Sequence, residues 1–80
     1  MKAQVFVTLK KGVLDPQGKA VEESLHSLGF VEAHNMRIGR YVEMEIDGLS
    51  ENKARERLKM MCEKLLANPV IEDYRVEIEG

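Results

Sequence analysis

The side chains that could take part in catalysis are few and lie far apart in the sequence. Cys62 is the only cysteine, and His26 and His34 are the only histidines. A nucleophile needs a base and an orienting group in contact with it. Cys62 falls on the apolar side of a predicted helix, where a small core residue is expected. The histidines have neither an HxxxH spacing nor a cysteine nearby, so we interpret both as surface residues.

The acidic residues and glycines are numerous, but they do not form a recognisable site. Paired acids act as general acid and base only in an enclosed site that shifts their pKa. The pairs in this chain favour a solvated surface; they are Glu22-Glu23, Glu43-Glu45 and Glu77-Glu79. The loop over residues 12–18 has two glycines but neither G-x-G-x-x-G nor a P-loop Lys-Ser. We therefore predict no catalytic residue, cofactor or metal in this chain.

The composition fits a single small folded domain over residues 1–80. The chain is 44% hydrophobic and 32% charged, with a formal net charge of −2, which is typical of a folded protein. That charge argues against non-specific binding to nucleic acid. The first apolar run, residues 5–9, is too short for a signal peptide or a membrane span. We expect a cytoplasmic protein without nucleic-acid or membrane partners.

The apolar periodicity predicts six elements in the order βαββαβ. Two helices are expected, because Asp15 and Ser50 are good N-caps while Gly29 and the Asn68-Pro69 pair end helices. Alternating apolar residues predict four strands, with a hairpin turn at Gly39 between the second and third; the strands cover roughly residues 2–10, 33–38, 41–47 and 71–79.

This order predicts an α+β, two-layer sandwich with a ferredoxin-like arrangement. Two helices would cover one face of a four-stranded sheet. The other face would carry Phe6 and Tyr41 among charged side chains, with nothing in the chain to cover it. A chain of this length buries only a modest core, so we expect a homodimer or a tetramer.

Three stretches of the sequence resemble the small S subunit of phosphoribosylformylglycinamidine (FGAM) synthase. They are residues 12–20 (GVLDPQGKA), 37–43 (RIGRYVE) and 62–74 (CEKLLANPVIEDY). With the chain length and the predicted order of elements, the resemblance covers nearly the whole sequence. The first and third stretches are specific to that family.

The resemblance implies a role in purine biosynthesis. The complete enzyme of that family is a ligase and glutamine amidotransferase complex, which converts formylglycinamide ribonucleotide to its amidine with ATP and glutamine. The small subunit is implied to be a homo-oligomeric, non-catalytic adaptor that joins the large synthetase subunit to the glutaminase subunit and supports ammonia transfer. ATP and magnesium are expected on the large subunit.

Five residues are candidates for partner contacts: Asp15, Gln17, Arg37, Arg40 and Tyr41. The last three cluster around the predicted hairpin tip, and arginines suit partner surfaces that carry carboxylates. Asp15 has a second interpretation as a helix cap, whereas Gln17 has no evident local role. The alternative function is a small regulatory module that binds an amino acid between paired βαββαβ domains.

Overall fold

A computed structural model describes residues 1–79 of the chain. It contains a three-stranded antiparallel sheet, two α-helices and a π-helical turn that continues the second helix. None of the helices in residues 1–79 is long and apolar enough to cross a membrane. The elements in chain order are β1 (Lys2–Leu9), α1 (Pro16–Ser27), β2 (Gly39–Glu45), α2 (Glu51–Met61), the π-helical turn (Cys62–Leu66) and β3 (Glu72–Glu79).

The sheet has the strand order β2-β1-β3, with β1 in the centre. Val5 of β1 lies opposite Val42 of β2 on one side and Val76 of β3 on the other. This register places the apolar residues of all three strands on the same face. The alternation in β1, β2 and β3 was therefore predicted correctly from the sequence.

The prediction of a four-stranded sheet is wrong, because residues 33–38 form no strand. Their backbone donors bind to side chains near and on α1 and not to a neighbouring strand. The N–H of Met36 donates to Glu22 Oε1 at 3.0 Å, and the N–H of Ile38 donates to Asp15 Oδ2 at 2.8 Å. Two apolar residues in alternation are too weak a signal to outweigh such bonds.

Gly39 does not turn a hairpin and is instead the first residue of β2. It lies opposite Thr8 of β1. A Cβ atom at this position would collide with the backbone carbonyl oxygen of Val7 and press on the Thr8 side chain. Close approach between β1 and β2 therefore requires a glycine here.

Both helix starts agree with the prediction from the sequence. Asp15 Oδ1 accepts a hydrogen bond from the N–H of Gly18 at 2.9 Å, and Pro16 occupies the first turn. Ser50 Oγ accepts a hydrogen bond from the N–H of Lys53 at 3.3 Å. These side chains satisfy backbone donors that have no partner within the helix.

The core lies between one face of the sheet and α2 with its π-helical turn. It consists of small and medium-sized residues, namely Ala3, Val5, Val7, Ile46, Ala54, Leu58, Cys62 and Ala67. Cys62 is fully buried, which confirms that this cysteine is a core residue, and its burial raises the pKa of the thiol. The π-helical turn begins at Cys62 and ends before Ala67, whose N–H donates to the carbonyl of Cys62 at 2.8 Å.

Helix α1 does not cover the sheet, so the prediction of two helices on one face is also wrong. Only Gly18 is buried among its twelve residues. The apolar stripe predicted for this helix consists of Val21, Leu25 and Leu28; Leu25 is half-buried, whereas Val21 and the C-cap residue Leu28 are 39% and 73% exposed. The molecule is correspondingly elongated, with extents of 49 × 26 × 14 Å.

Candidate functional site

Two neighbouring cavities surround the start of α1, where it meets the beginnings of β2 and β3. We call the first the sheet-end cleft; it has a volume of about 250 Å³ and is lined by Asp15, Gln17, Arg40 and Glu72, among others. We call the second the basic groove; it has a volume of about 780 Å³, and its cations are Lys10, Lys11, Lys19 and Arg37. Asp15 lines both cavities.

Asp15 joins α1 to the segment that precedes β2. One carboxylate oxygen caps α1 at the N–H of Gly18, and the other accepts the N–H of Ile38. These bonds, to Gly18 first and Ile38 second, hold the pKa of the carboxyl group below its usual value. A Cβ atom at Gly18 would collide with the carbonyl oxygen of Met36. The specific sequence around Asp15 is thus explained by close packing of two backbone segments.

Arg40 joins β2 to the turn that leads into β3. Its Nη2 donates to the carbonyl of Leu66 and to Glu72 Oε1, both at 2.9 Å. The same Glu72 oxygen accepts the N–H of Asn68 at 2.7 Å. The Arg40 guanidinium and the Asn68 N–H, in that order, lower the pKa of the Glu72 carboxyl group. We call this set of four residues the Arg40 latch.

Glu72 was not singled out from the sequence, although a signal was present. The alternation of β3 places Glu72 on the same face as Tyr74 and Val76, which points towards the core. A carboxylate at an inward position needs a charged or hydrogen-bonding partner. Its side chain is only 12% exposed, against 56% for Arg40.

Arg37 and Gln17 lie at the outer edges of the two cavities. Arg37 Nη2 donates to Thr8 Oγ1 at 3.2 Å, in an exposed setting. Gln17 is exposed on the first turn of α1, next to the cap residue Asp15. Neither side chain is buried in the packing between elements, so both are accessible to a partner.

The cations of the basic groove outnumber its free acids. Lys10 forms an ion pair with Asp73, at 3.5 Å. The groove's own carboxylates, Asp15 and Glu22, already accept backbone hydrogen bonds. The four cations still outnumber the two carboxylates of the lining, so the groove carries an excess of positive charge, although the whole chain carries a net charge of −2.

Tyr41 lies on the opposite face of the sheet, away from the other four candidates. Its ring stacks on Phe6 with 5.0 Å between ring centres, and Arg75 lies over the Phe6 ring at 4.4 Å. The Tyr41 hydroxyl donates to Glu43 Oε1 at 2.6 Å, which raises the pKa of Tyr41 and lowers that of Glu43. Aromatic stacking and cation–π contact stabilise this uncovered face.

The structure thus brings together Asp15, Gln17, Arg37 and Arg40 and separates Tyr41 from them. Residues 2–80 match the family model PurS, described as phosphoribosylformylglycinamidine (FGAM) synthase. The chain belongs to the PurS family.

Individual PurS proteins align with nearly the whole chain. The PurS subunit of FGAM synthase from Bacillus subtilis (strain 168) is 53% identical over 78 residues, which are 98% of this chain and 92% of that protein. The crystal structure of PurS from Methanocaldococcus jannaschii is 39% identical and superposes with a TM-score of 0.86, covering 99% of this chain and 95% of that one. The resemblance read from residues 12–20, 37–43 and 62–74 is confirmed.

A structure of PurLQS from Thermotoga maritima contains a chain of the same fold. That chain is 33% identical, with a TM-score of 0.86, and the match covers 95% of this chain and 93% of that one. A PurS chain is therefore known within a larger assembly.

Proposed function

We propose that this chain is the adaptor subunit of an FGAM synthase in purine biosynthesis, joining the ATP-dependent synthetase subunit to the glutaminase subunit and supporting ammonia transfer. The observation that carries the proposal is the match of almost the whole fold to a chain of PurLQS from Thermotoga maritima. The family match favours this role over an amino-acid-binding regulatory module. ATP and magnesium on the large subunit, and a cytoplasmic location, stay predictions.

The chemistry of the chain supports an adaptor role over a catalytic one. Its one thiol, Cys62, is fully buried and has a raised pKa, so it presents no thiolate to a substrate. The carboxylates of Asp15 and Glu72 already accept two hydrogen bonds each, from groups that hold the fold together. We therefore expect the chain to contribute a binding surface to its partners and not a reactive group.

Reconstitution of the synthetase with and without this chain tests the adaptor role. A glutamine-dependent synthetase makes ammonia in one subunit and uses it in another. We expect omission of this chain to abolish glutamine-dependent synthesis, while a high concentration of ammonium salt still supports turnover. Loss of the ammonium-dependent reaction as well would contradict the proposal, because it would indicate a direct role in the synthetase site.

The surface proposed for the partner contact comprises Gln17 and Arg37 with the basic groove. Both side chains are accessible, and the groove is positive, so an acidic partner surface is favoured. Arg37→Glu should weaken complex formation without unfolding the chain. Arg55→Glu is the matched control, because it reverses an exposed arginine on α2 that lines neither cavity. Equal weakening by both variants would remove the groove from the proposed interface.

We also propose that a second copy of this chain covers the apolar stripe of α1. Val21 and Leu28 are exposed, as are Leu14, Phe30 and Val31, which flank α1 in the sequence. An exposed apolar helix stripe is a candidate for burial against a partner, and α1 is not packed on its own sheet. This proposal adds a contact surface to the homodimer or tetramer that is expected from the sequence.

Light scattering of the purified chain tests this contact. The wild type should be larger than a monomer at micromolar concentration, and Leu28→Glu should shift it towards the monomer. Ser27→Glu is the matched control, since its side chain projects from a different side of α1. A monomeric wild type, or an unchanged mass for Leu28→Glu, would contradict the proposed self-association.

A further inference from the structure

The two histidines of the chain lie next to each other after folding. His26 is in the last turn of α1, and the chain then folds back through a turn in which the N–H of Phe30 donates to the carbonyl of Leu25 at 2.9 Å. This turn brings the His34 ring to within 5.9 Å of the His26 ring, centre to centre, with the ring planes at 69°. The sequence predicted two surface histidines: His34 is exposed and His26 is half-buried, and the structure shows in addition that their rings are neighbours.

The hydrogen bond of His26 prepares its second nitrogen for coordination. Nε2 lies 2.7 Å from the carbonyl oxygen of Ala33, which can only accept, so Nε2 is the donor. In a neutral imidazole the other nitrogen, Nδ1, then carries a free lone pair. Histidines that bind metals usually donate their other N–H to a carbonyl or a carboxylate in this way, which fixes the tautomer and the ring orientation.

The distance between the rings suits one ion held by two imidazoles. With metal–nitrogen bonds of about 2.0–2.1 Å, two imidazoles at a tetrahedral angle on one zinc ion have ring centres about 5 Å apart, so the rings, now 5.9 Å apart, need to approach by under about 1 Å. Residues 1–79 contain no cluster of three or more His, Cys, Asp or Glu side chains placed to hold a metal. The remaining positions around an ion would be taken by water.

We propose that His26 and His34 form a surface site for a borderline divalent transition metal such as Zn²⁺ or Ni²⁺. Imidazole suits these ions, whereas Mg²⁺ and Ca²⁺ prefer oxygen ligands. The bound ion would link the last turn of α1 to the loop that leads to β2. Since an ion that binds the folded chain stabilises it, the metal would hold α1 in position relative to that loop.

Titration of the chain with ZnCl₂ tests the site. Calorimetry measures the affinity, and NMR follows the signals of the two imidazoles. Because the chain has two histidines, their signals are assigned from His34→Ala alone. We expect one Zn²⁺ per chain, both imidazoles shifting together, and a higher unfolding temperature that EDTA reverses. MgCl₂ should have no such effect.

His34→Ala is the decisive variant, because His34 is exposed and its loss leaves the His26–Ala33 hydrogen bond in place. We expect an affinity for Zn²⁺ lower by about tenfold or more, since even outer-shell partners of metal ligands change affinity by about that factor. His26→Gln should act likewise, and the neighbouring Ser27→Ala should bind as the wild type. Wild-type affinity in His34→Ala, movement of one imidazole alone, or one ion bridging two chains would overturn the proposal.

Discussion

The Arg40 latch predicts that two arginines close together in the sequence respond differently to charge reversal. Arg37 has one exposed hydrogen bond, to Thr8. Arg40 donates to Leu66 and to Glu72. Arg37→Glu should change the free energy of unfolding by under about 0.5 kcal/mol, as exposed positions usually do. Arg40→Glu should destabilise the chain clearly, because it places a second carboxylate beside Glu72.

The magnitude for Arg40→Glu follows from the geometry of the latch. The guanidinium is more than half exposed, so the attraction to Glu72 contributes about 0.2–1 kcal/mol after screening by solvent. The lost hydrogen bond to the carbonyl of Leu66 adds about 0.5–1.5 kcal/mol. When the repulsion between Glu72 and the carboxylate introduced by Arg40→Glu is included, we expect the free energy of unfolding to fall by about 1–2.5 kcal/mol. Glu72→Ala should lower it by a similar amount, because the N–H of Asn68 loses its acceptor.

Urea unfolding followed by far-UV circular dichroism measures these losses, at one fixed chain concentration because self-association shifts the apparent stability. A double-mutant cycle with Arg40→Ala and Glu72→Ala isolates the direct interaction. We expect a coupling of about 0.5–1 kcal/mol. A coupling within error of zero, or equal losses for Arg37→Glu and Arg40→Glu, would refute the reasoning.

The same latch predicts how the coupling depends on pH. The pKa of the Glu72 carboxyl group is lowered in the folded chain from an ordinary value of 4.5, chiefly by Arg40. The stabilisation is therefore complete above the unfolded pKa and is lost as the pH falls through the lower, folded pKa. Below pH 4.5 the wild type should lose stability faster than Glu72→Ala. Parallel pH profiles for the two proteins would show that Glu72 is not the responsible carboxylate.

Four further substitutions test the packing and the helix caps, each by urea unfolding. Leu58→Ala removes the largest fully buried side chain and should cost about 2.7–5 kcal/mol; a loss under 1 kcal/mol would contradict the assigned core. Gly39→Ala should lower the urea midpoint, since its Cβ would collide with the carbonyl of Val7, and an unchanged midpoint would show that β1 and β2 separate easily. Asp15→Ala should lower the midpoint more than Ser50→Ala, since Asp15 also accepts the N–H of Ile38, and equal shifts would leave only the cap role.

Local sequence signals predicted the elements better than their arrangement. The caps Asp15 and Ser50 could be predicted because each cap side chain accepts a backbone N–H only three residues further along the chain. The strand predicted over residues 33–38 failed because the acceptors of its backbone bonds, Asp15 and Glu22, lie on a distant part of the chain. Amphipathic periodicity alone cannot show which long-range acceptor a backbone donor will use.

The position of α1 was not predictable from its periodicity for a related reason. Val21, Leu25 and Leu28 form a helical stripe, which predicts burial against some surface but does not say which one. In the single chain that surface is not the sheet, where α2 already covers the apolar face. The apolar stripes of the two helices therefore do not share one sheet face, and the exposure of α1 fits the expected oligomer.

At the candidate site, residues that are close in the sequence differ in role: some hold the fold together, and others are accessible to a partner. Arg40 and Tyr41 are adjacent, yet the strand geometry of β2 directs them to opposite faces of the sheet. Asp15 and Arg40 are engaged in holding backbone segments together, so a loss of partner binding in their variants would follow from altered structure as readily as from a lost contact. Arg37 and Gln17 are free of that ambiguity, and a binding defect in their folded variants would identify the partner-binding edge of this fold.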